Sequence, residues 1–144
     1  ANLRDELVNK VANGPAHGRI HFAGSVEDVP AHLASADLAF SMASQPEAFG
    51  RAVIEAGACG VPVIASKHGG SLETVLDGKT GWLVPPNDPE TLAATIATAL
   101  DQPELLQSFG RAGRVHVVEE FSIDAAIAQE AAAYSRLLGP ADQP

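Results

Sequence analysis

The spacing of apolar positions switches repeatedly between a helical and a strand period along this chain. Leu3, Leu7, Val8 and Val11 share one helical face, and the stretch NGPAHG then closes the element. RIHFAG (19–24) reads as a short strand, and EDVPAHLASA (27–36) as a helix opened by Asp28 and Pro30. DLAFSM (37–42) is a second strand, and GRAVIEAGACG (50–60) a helix ended by Gly60. VPVIAS (61–66) is almost unbroken apolar, the pattern of a strand buried on both faces of a parallel sheet. SLETVLDG (71–78) predicts a short helix and GWLV (81–84) a fourth strand. NDPETLAATIATAL starts a helix at Asp88-Pro89, with Leu92, Ile96 and Leu100 on one stripe. Two more helices follow, PELLQSFGRAGRVHVV (103–118) and a closing one over 122–138, capped by Ser122 and stopped by Gly139-Pro140.

Strands alternating with helices imply parallel strands joined by crossovers, an open α/β sheet forming a single domain over 1–144. In such sheets ligands bind beyond the carboxyl ends of the strands. The segments leaving those ends are AGSVED, SMASQPEAFGR, ASKHGGS and VPPND, and the second holds a distinctive phrase, PEAFGRAVIE (46–55). If the helix starts near Phe49-Gly50, the amides of Gly50, Arg51 and Ala52 form an anion site suited to phosphate. Gly50 leaves room for close approach. Glu55 then lies about 7 Å further along the axis, where it can accept hydrogen bonds from vicinal hydroxyls such as those of a ribose. Glu47, on the other side of the phosphate, can serve a second polyol. Hydroxyls, phosphate, hydroxyls is the outline of a nucleotide-sugar. A helix-start carboxylate is also ordinary, since it complements the helix dipole.

Composition narrows the field. The chain has 144 residues, 46% hydrophobic and 19% charged, with no apolar run of membrane-spanning length. A net charge of -9 disfavours nucleic acid and anionic membrane as partners of this segment. The start, ANLRDELVNKV, is charged and amphipathic rather than signal-like, so a cytoplasmic location is expected. Cys59 is the single cysteine, which excludes an internal disulfide and a cysteine metal site; a small core residue is expected there.

PEAFGRAVIEAGACGVPVIAS, followed by GGSLETVLDGKTGWLVPPNDPETLAATI, resembles the carboxyl-terminal, donor-binding domain of the retaining family 4 (group 1) glycosyltransferases of GT-B architecture. The phrase E-x-F-G-x-x-x-x-E-A-x-x-x-G-x-P-V-I-A is matched by Glu47, Phe49, Gly50, Glu55, Ala56, Gly60, Pro62, Val63, Ile64 and Ala65. The similarity runs over essentially the whole chain. It implies a Rossmann-like, doubly wound parallel sheet with carboxyl-terminal helices. It also implies a nucleotide-diphospho-sugar as donor, and transfer of a hexosyl-type group with retention. Carried over by position, Glu55 binds the ribose and Glu47 contacts the transferred sugar and is catalytic. Ala48, Phe49, Gly50 and Arg51 hold the distal phosphate and sugar hydroxyls, and the backbone at Ser25 and Val26 lies against the base. No cofactor and no metal is expected, because amides and a helix terminus meet the diphosphate charge.

The family domain begins with two further strands and a basic clamp on the diphosphate, neither of which the pattern here contains. With the family's strand order 3-2-1-4-5-6, RIHFAG would be separated from the other strands by two missing ones. A partial domain is therefore expected, inactive alone, pairing with another chain or with an amino-terminal part that binds the acceptor. A non-catalytic nucleotide or nucleotide-sugar binding module, or an assembly subunit of the same fold, is the alternative. Packing roles are expected for Trp82 and Phe22, and a structural or exposed role, rather than one at a ligand, for His21. His68 and Gly69-Gly70 stay open between turn formation and a ligand role, and Arg51 between the diphosphate and a surface ion pair.

Overall fold

The computed structural model describes residues 2–139. Three short strands, β1 (Ala39–Ser41), β2 (Val63–Ser66) and β3 (Gly81–Val84), pair in parallel in the order β1-β2-β3. Phe40 stands opposite Ile64, and Ile64 opposite Trp82. Among the described residues the helices are α1 (Leu3–Ala12), α2 (Val29–Ala34), α3 (Arg51–Ala58), α4 (Ser71–Thr74), α5 (Pro89–Leu100), α6 (Pro103–Phe121) and α7 (Ile123–Leu138). None among the described residues is long and apolar enough to cross a membrane. The α/β class and the consecutive order of the last three strands agree with the sequence pattern.

β2 is central and all four of its residues are buried, as its unbroken apolar run requires. On one face, Val63 and Ala65 pack with Val53, Ala56, Val61 and Val75, and with the partly buried Leu33, Ala39, Cys59 and Leu83. Cys59 is thus a small packing residue, its thiol 3.7 Å from the Pro30 carbonyl oxygen. Glycines let α6 lie close over α3: a Cβ on Gly57 would come within 2.8 Å of Val117 Cγ2. Arg114 ties the pair together by donating to the Ala58 carbonyl. Trp82 packs against Phe109 with ring centroids 4.6 Å apart and the planes tilted by 46°, a packing role as expected.

Two readings change. RIHFAG forms no strand: residues 20–24 carry no ladder, and Ile20, His21 and Phe22 are exposed. A strand exists by its hydrogen-bonded neighbour, and among the described residues none pairs with this segment. Phe22 is consequently 40% exposed rather than packed. On α5 the inward stripe runs Leu92, Ile96, Ala99, while Leu100 is 55% exposed. The i, i+4, i+7 spacing wins over side-chain size, because the helix turns 100° per residue whatever it carries.

The predicted caps form. The Asp28 and Asp88 carboxylates accept from the Ala31 and Thr91 amides at 3.0 and 2.9 Å, each with proline in the first turn. The Ser122 hydroxyl accepts from the Ala125 amide at 3.1 Å to open α7. Gly139 follows α7 at φ 71, and Pro140 lies outside the described residues.

Candidate functional site

The segment 42–50 leaves β1 at its carboxyl end and delivers the chain to the start of α3. Gly50 is the residue before that helix, buried and left-handed at φ 73, a conformation that glycine adopts without the steric cost of a Cβ. Among the described residues, no backbone carbonyl accepts from the amides of Gly50, Arg51 or Ala52; the first such bond comes from Val53 to Gly50, at 3.0 Å. The helix therefore presents free amides at its amino terminus, with the partial positive charge of its dipole behind them.

Both carboxylates singled out in the sequence stand at this point. A Cβ built on Gly50 would meet Glu47 Oε2 at 3.9 Å, so the Glu47 carboxylate lies beside the cap, exposed to solvent. Glu55 projects from the exposed face of α3 and accepts from Arg51 Nη2 at 3.3 Å. Arg51, 85% exposed, is thus engaged in the surface ion pair that the sequence left as one of its two options. Ala48 and Phe49 are exposed and complete the loop. Ser25 and Val26 lie in the turn before α2, Ser25 exposed and Val26 half-buried; α2 joins the α3 side of the sheet through Leu33 and Pro30.

Gly69 and Gly70, whose role the sequence left open, are the support of this loop. Gly70 donates its amide to the Glu47 carbonyl at 2.8 Å. A Cβ on Gly69 would come within 2.5 Å of that same oxygen, and one on Gly70 within 2.5 Å of Phe49 Cα. No side chain fits between the two backbones. Thr74 lies beneath, its hydroxyl donating to the Gly70 carbonyl at 3.0 Å. Phe121, at the end of α6, was not singled out in the sequence. It meets the Phe49 ring edge-on at 5.7 Å, and His116 meets Phe121 at 5.3 Å. Only its place just before the Ser122 cap could have signalled it.

The surroundings are open. Beyond the strand ends a cavity of about 180 Å³ is lined by Met42, Ala43, Ser66, Asn87 and Asp88. That is below the ~300–1,000 Å³ of ordinary ligand pockets. A larger hollow of about 550 Å³ beside Asp101 and Ser108 lies at the far end of α5, about 18 Å along its axis. The free amides and the two carboxylates instead line an exposed surface. Among the described residues, no group of three or more His, Cys, Asp or Glu side chains is placed to hold a metal ion.

A three-stranded parallel sheet with a helix start of free amides beyond its strand ends defines a Rossmann-like α/β domain. Residues 2–116 match the family described as Glycosyl transferases group 1. The chain belongs to that family, whose architecture is GT-B. It is 41% identical over 95 residues to the GDP-mannose-dependent alpha-(1-6)-phosphatidylinositol monomannoside mannosyltransferase of Mycolicibacterium smegmatis, covering 61% of this chain and 25% of that one. It is 32% identical over 132 residues to the N-acetyl-alpha-D-glucosaminyl L-malate synthase of Bacillus anthracis, covering 92% and 34%. Among solved structures, HepE of Anabaena in complex with UDP and glucose superposes with a TM-score of 0.85 at 29% identity, covering 92% of this chain and 36% of that one. The chain thus spans about a quarter to a third of the length of the curated relatives it matches.

Proposed function

We propose that this chain binds a nucleotide-diphospho-sugar and, within the polypeptide that carries it, transfers a hexosyl-type group with retention to an acceptor held by another domain. The observation that carries the reading is the pair of carboxylates flanking the free amides of α3. The α3 start and Arg51 meet the diphosphate, whose charge grows as the glycosyl bond breaks. No metal is invoked for this step, so turnover should persist in a chelator. Glu55 takes the ribose hydroxyls on one side. Glu47 faces the sugar on the other, where a negative charge stabilises a cationic, oxocarbenium-like centre. The backbone at Ser25 and Val26 borders the base. Support comes from a relative whose name specifies GDP-mannose and from HepE, solved with UDP; the bases differ, and the diphosphate and ribose are what they share.

Glu47→Gln tests the reading, because it keeps size and most hydrogen bonding while removing the charge. An interaction made mainly in the transition state lowers turnover and leaves ground-state affinity intact. Turnover should fall by at least ~100-fold, about 2.7 kcal/mol of barrier, with near-normal nucleoside-diphosphate affinity by calorimetry. Unchanged turnover would reduce Glu47 to a partner of the helix dipole. Diphosphate binding by a wild-type protein without any transfer would favour the binding-module reading.

A further inference from the structure

We propose that His68 is a positioning residue for the transfer, anchoring the Glu47 loop through a hydrogen bond from its ring to the Ala43 carbonyl. The inference rests on the role given to Glu47 above. His68 Nε2 lies 3.0 Å from the Ala43 oxygen. A carbonyl only accepts, so Nε2 carries the proton and the ring is held in one tautomer. Its other nitrogen, Nδ1, is buried and has no hydrogen-bond partner. A buried acceptor left unpaired is unfavourable, and an apolar side chain would fill the same half-buried space without that cost. What an imidazole adds here is the bond to Ala43.

The position of that bond matters. Between β1 and α3 every residue from Ser44 to Phe49 is exposed overall, although the backbone at Glu47 and Phe49 lies against Gly69 and Gly70. It is fastened by the turn after β2 at two carbonyls, Ala43 by His68 and Glu47 by the Gly70 amide at 2.8 Å. Gly69 and Gly70 fix how closely the two backbones approach. The Gly70 bond holds the carboxylate-bearing residue itself, and the His68 bond holds the root of the loop. Losing the second leaves the Gly70 bond as the loop's one hydrogen bond to that turn and loosens the approach to Glu47 from the β1 side. A loop that must present a carboxylate to a reacting sugar loses rate through small misplacement, while amide contacts to the diphosphate from the helix survive.

The test compares His68→Ala with His68→Gln in the polypeptide that carries this chain. Glutamine retains an N–H donor able to reach the Ala43 oxygen. His68→Ala should lower kcat by roughly 10-fold or more, with KM for the nucleotide-sugar changed by no more than about 3-fold, the pattern of an interaction lost at the transition state. His68→Gln should recover most of that loss. Hydrogen–deuterium exchange should rise at the amides of residues 44–50 in the alanine variant alone, with the melting temperature unchanged. Wild-type kcat in His68→Ala, unaltered exchange in the loop, or failure of glutamine to rescue would each overturn the proposal. Glu47→Gln run alongside separates the two ideas: normal turnover there removes the role of Glu47, whereas the exchange result still decides whether His68 holds the loop.

Discussion

The Glu55 carboxylate faces solvent with Arg51 as its partner, and an exposed pair one turn apart on a helix is worth only ~0.3–0.5 kcal/mol. A ribose can therefore displace Arg51 from it at little cost, leaving the guanidinium near the helix start for phosphate. The expected consequence is specific to the hydroxyls. Glu55→Ala should weaken binding of a ribonucleoside diphosphate by roughly 1.5–3 kcal/mol, the range for hydrogen bonds to a charged group. The deoxyribonucleoside diphosphate should lose far less in the same calorimetric titration. Equal weakening of both would remove the ribose from the assignment. The two glutamates were legible in the sequence because a helix start and a fixed spacing are local properties. The sequence left His68 open between a turn and a ligand role and did not mark Phe121, because their partners Ala43 and Phe49 are brought to them only by the packing of separate elements.

At the scale of elements, local rules set the helices and neighbours set the strands. The start of α5 is an example of a local rule with a measurable pH dependence. Asp88 accepts from the Thr91 hydroxyl at 2.6 Å and from its amide at 2.9 Å. These bonds, the hydroxyl's first, hold the Asp88 carboxyl below its ordinary value of 3.8. A carboxylate lowered in the folded state contributes stability that is present above the unfolded value and lost as pH falls through the folded one. Asp88→Ala should therefore melt below the wild type at neutral pH, and the gap should narrow as the pH drops below 3.8. Asp88→Asn, which keeps a capping oxygen without a titrating group, should hold a constant margin over Asp88→Ala across the same pH range. A gap independent of pH would mean that the carboxylate charge adds nothing to the cap. RIHFAG shows the opposite case: its alternation is strand-like, yet residues 20–24 have no ladder to join.

Across the whole molecule, much apolar surface faces outward. Phe40 on β1 is 48% exposed, and Ile123, Ile127, Tyr134 and Leu138 recur along α7 with exposures of 79%, 59%, 56% and 81%. Edge strands and apolar helix stripes of this kind invite pairing with other chains. The 144-residue chain by itself should associate in a concentration-dependent way, with sedimentation velocity showing species heavier than 14.8 kDa. A monomer with one cooperative melt across that concentration range would contradict the expectation. The sequence alone determined the α/β class, the helices with their caps, the buried central strand and the stretch around which the candidate site forms. Each of these is written in the periodicity, turn chemistry and capping of neighbouring residues. Only the tertiary structure decided that Gly69 and Gly70 support the Glu47 loop, that Leu100 turns away from the core, and that RIHFAG stays unpaired. Those outcomes depend on which backbones meet, and contacts between residues distant in the chain leave no period in it.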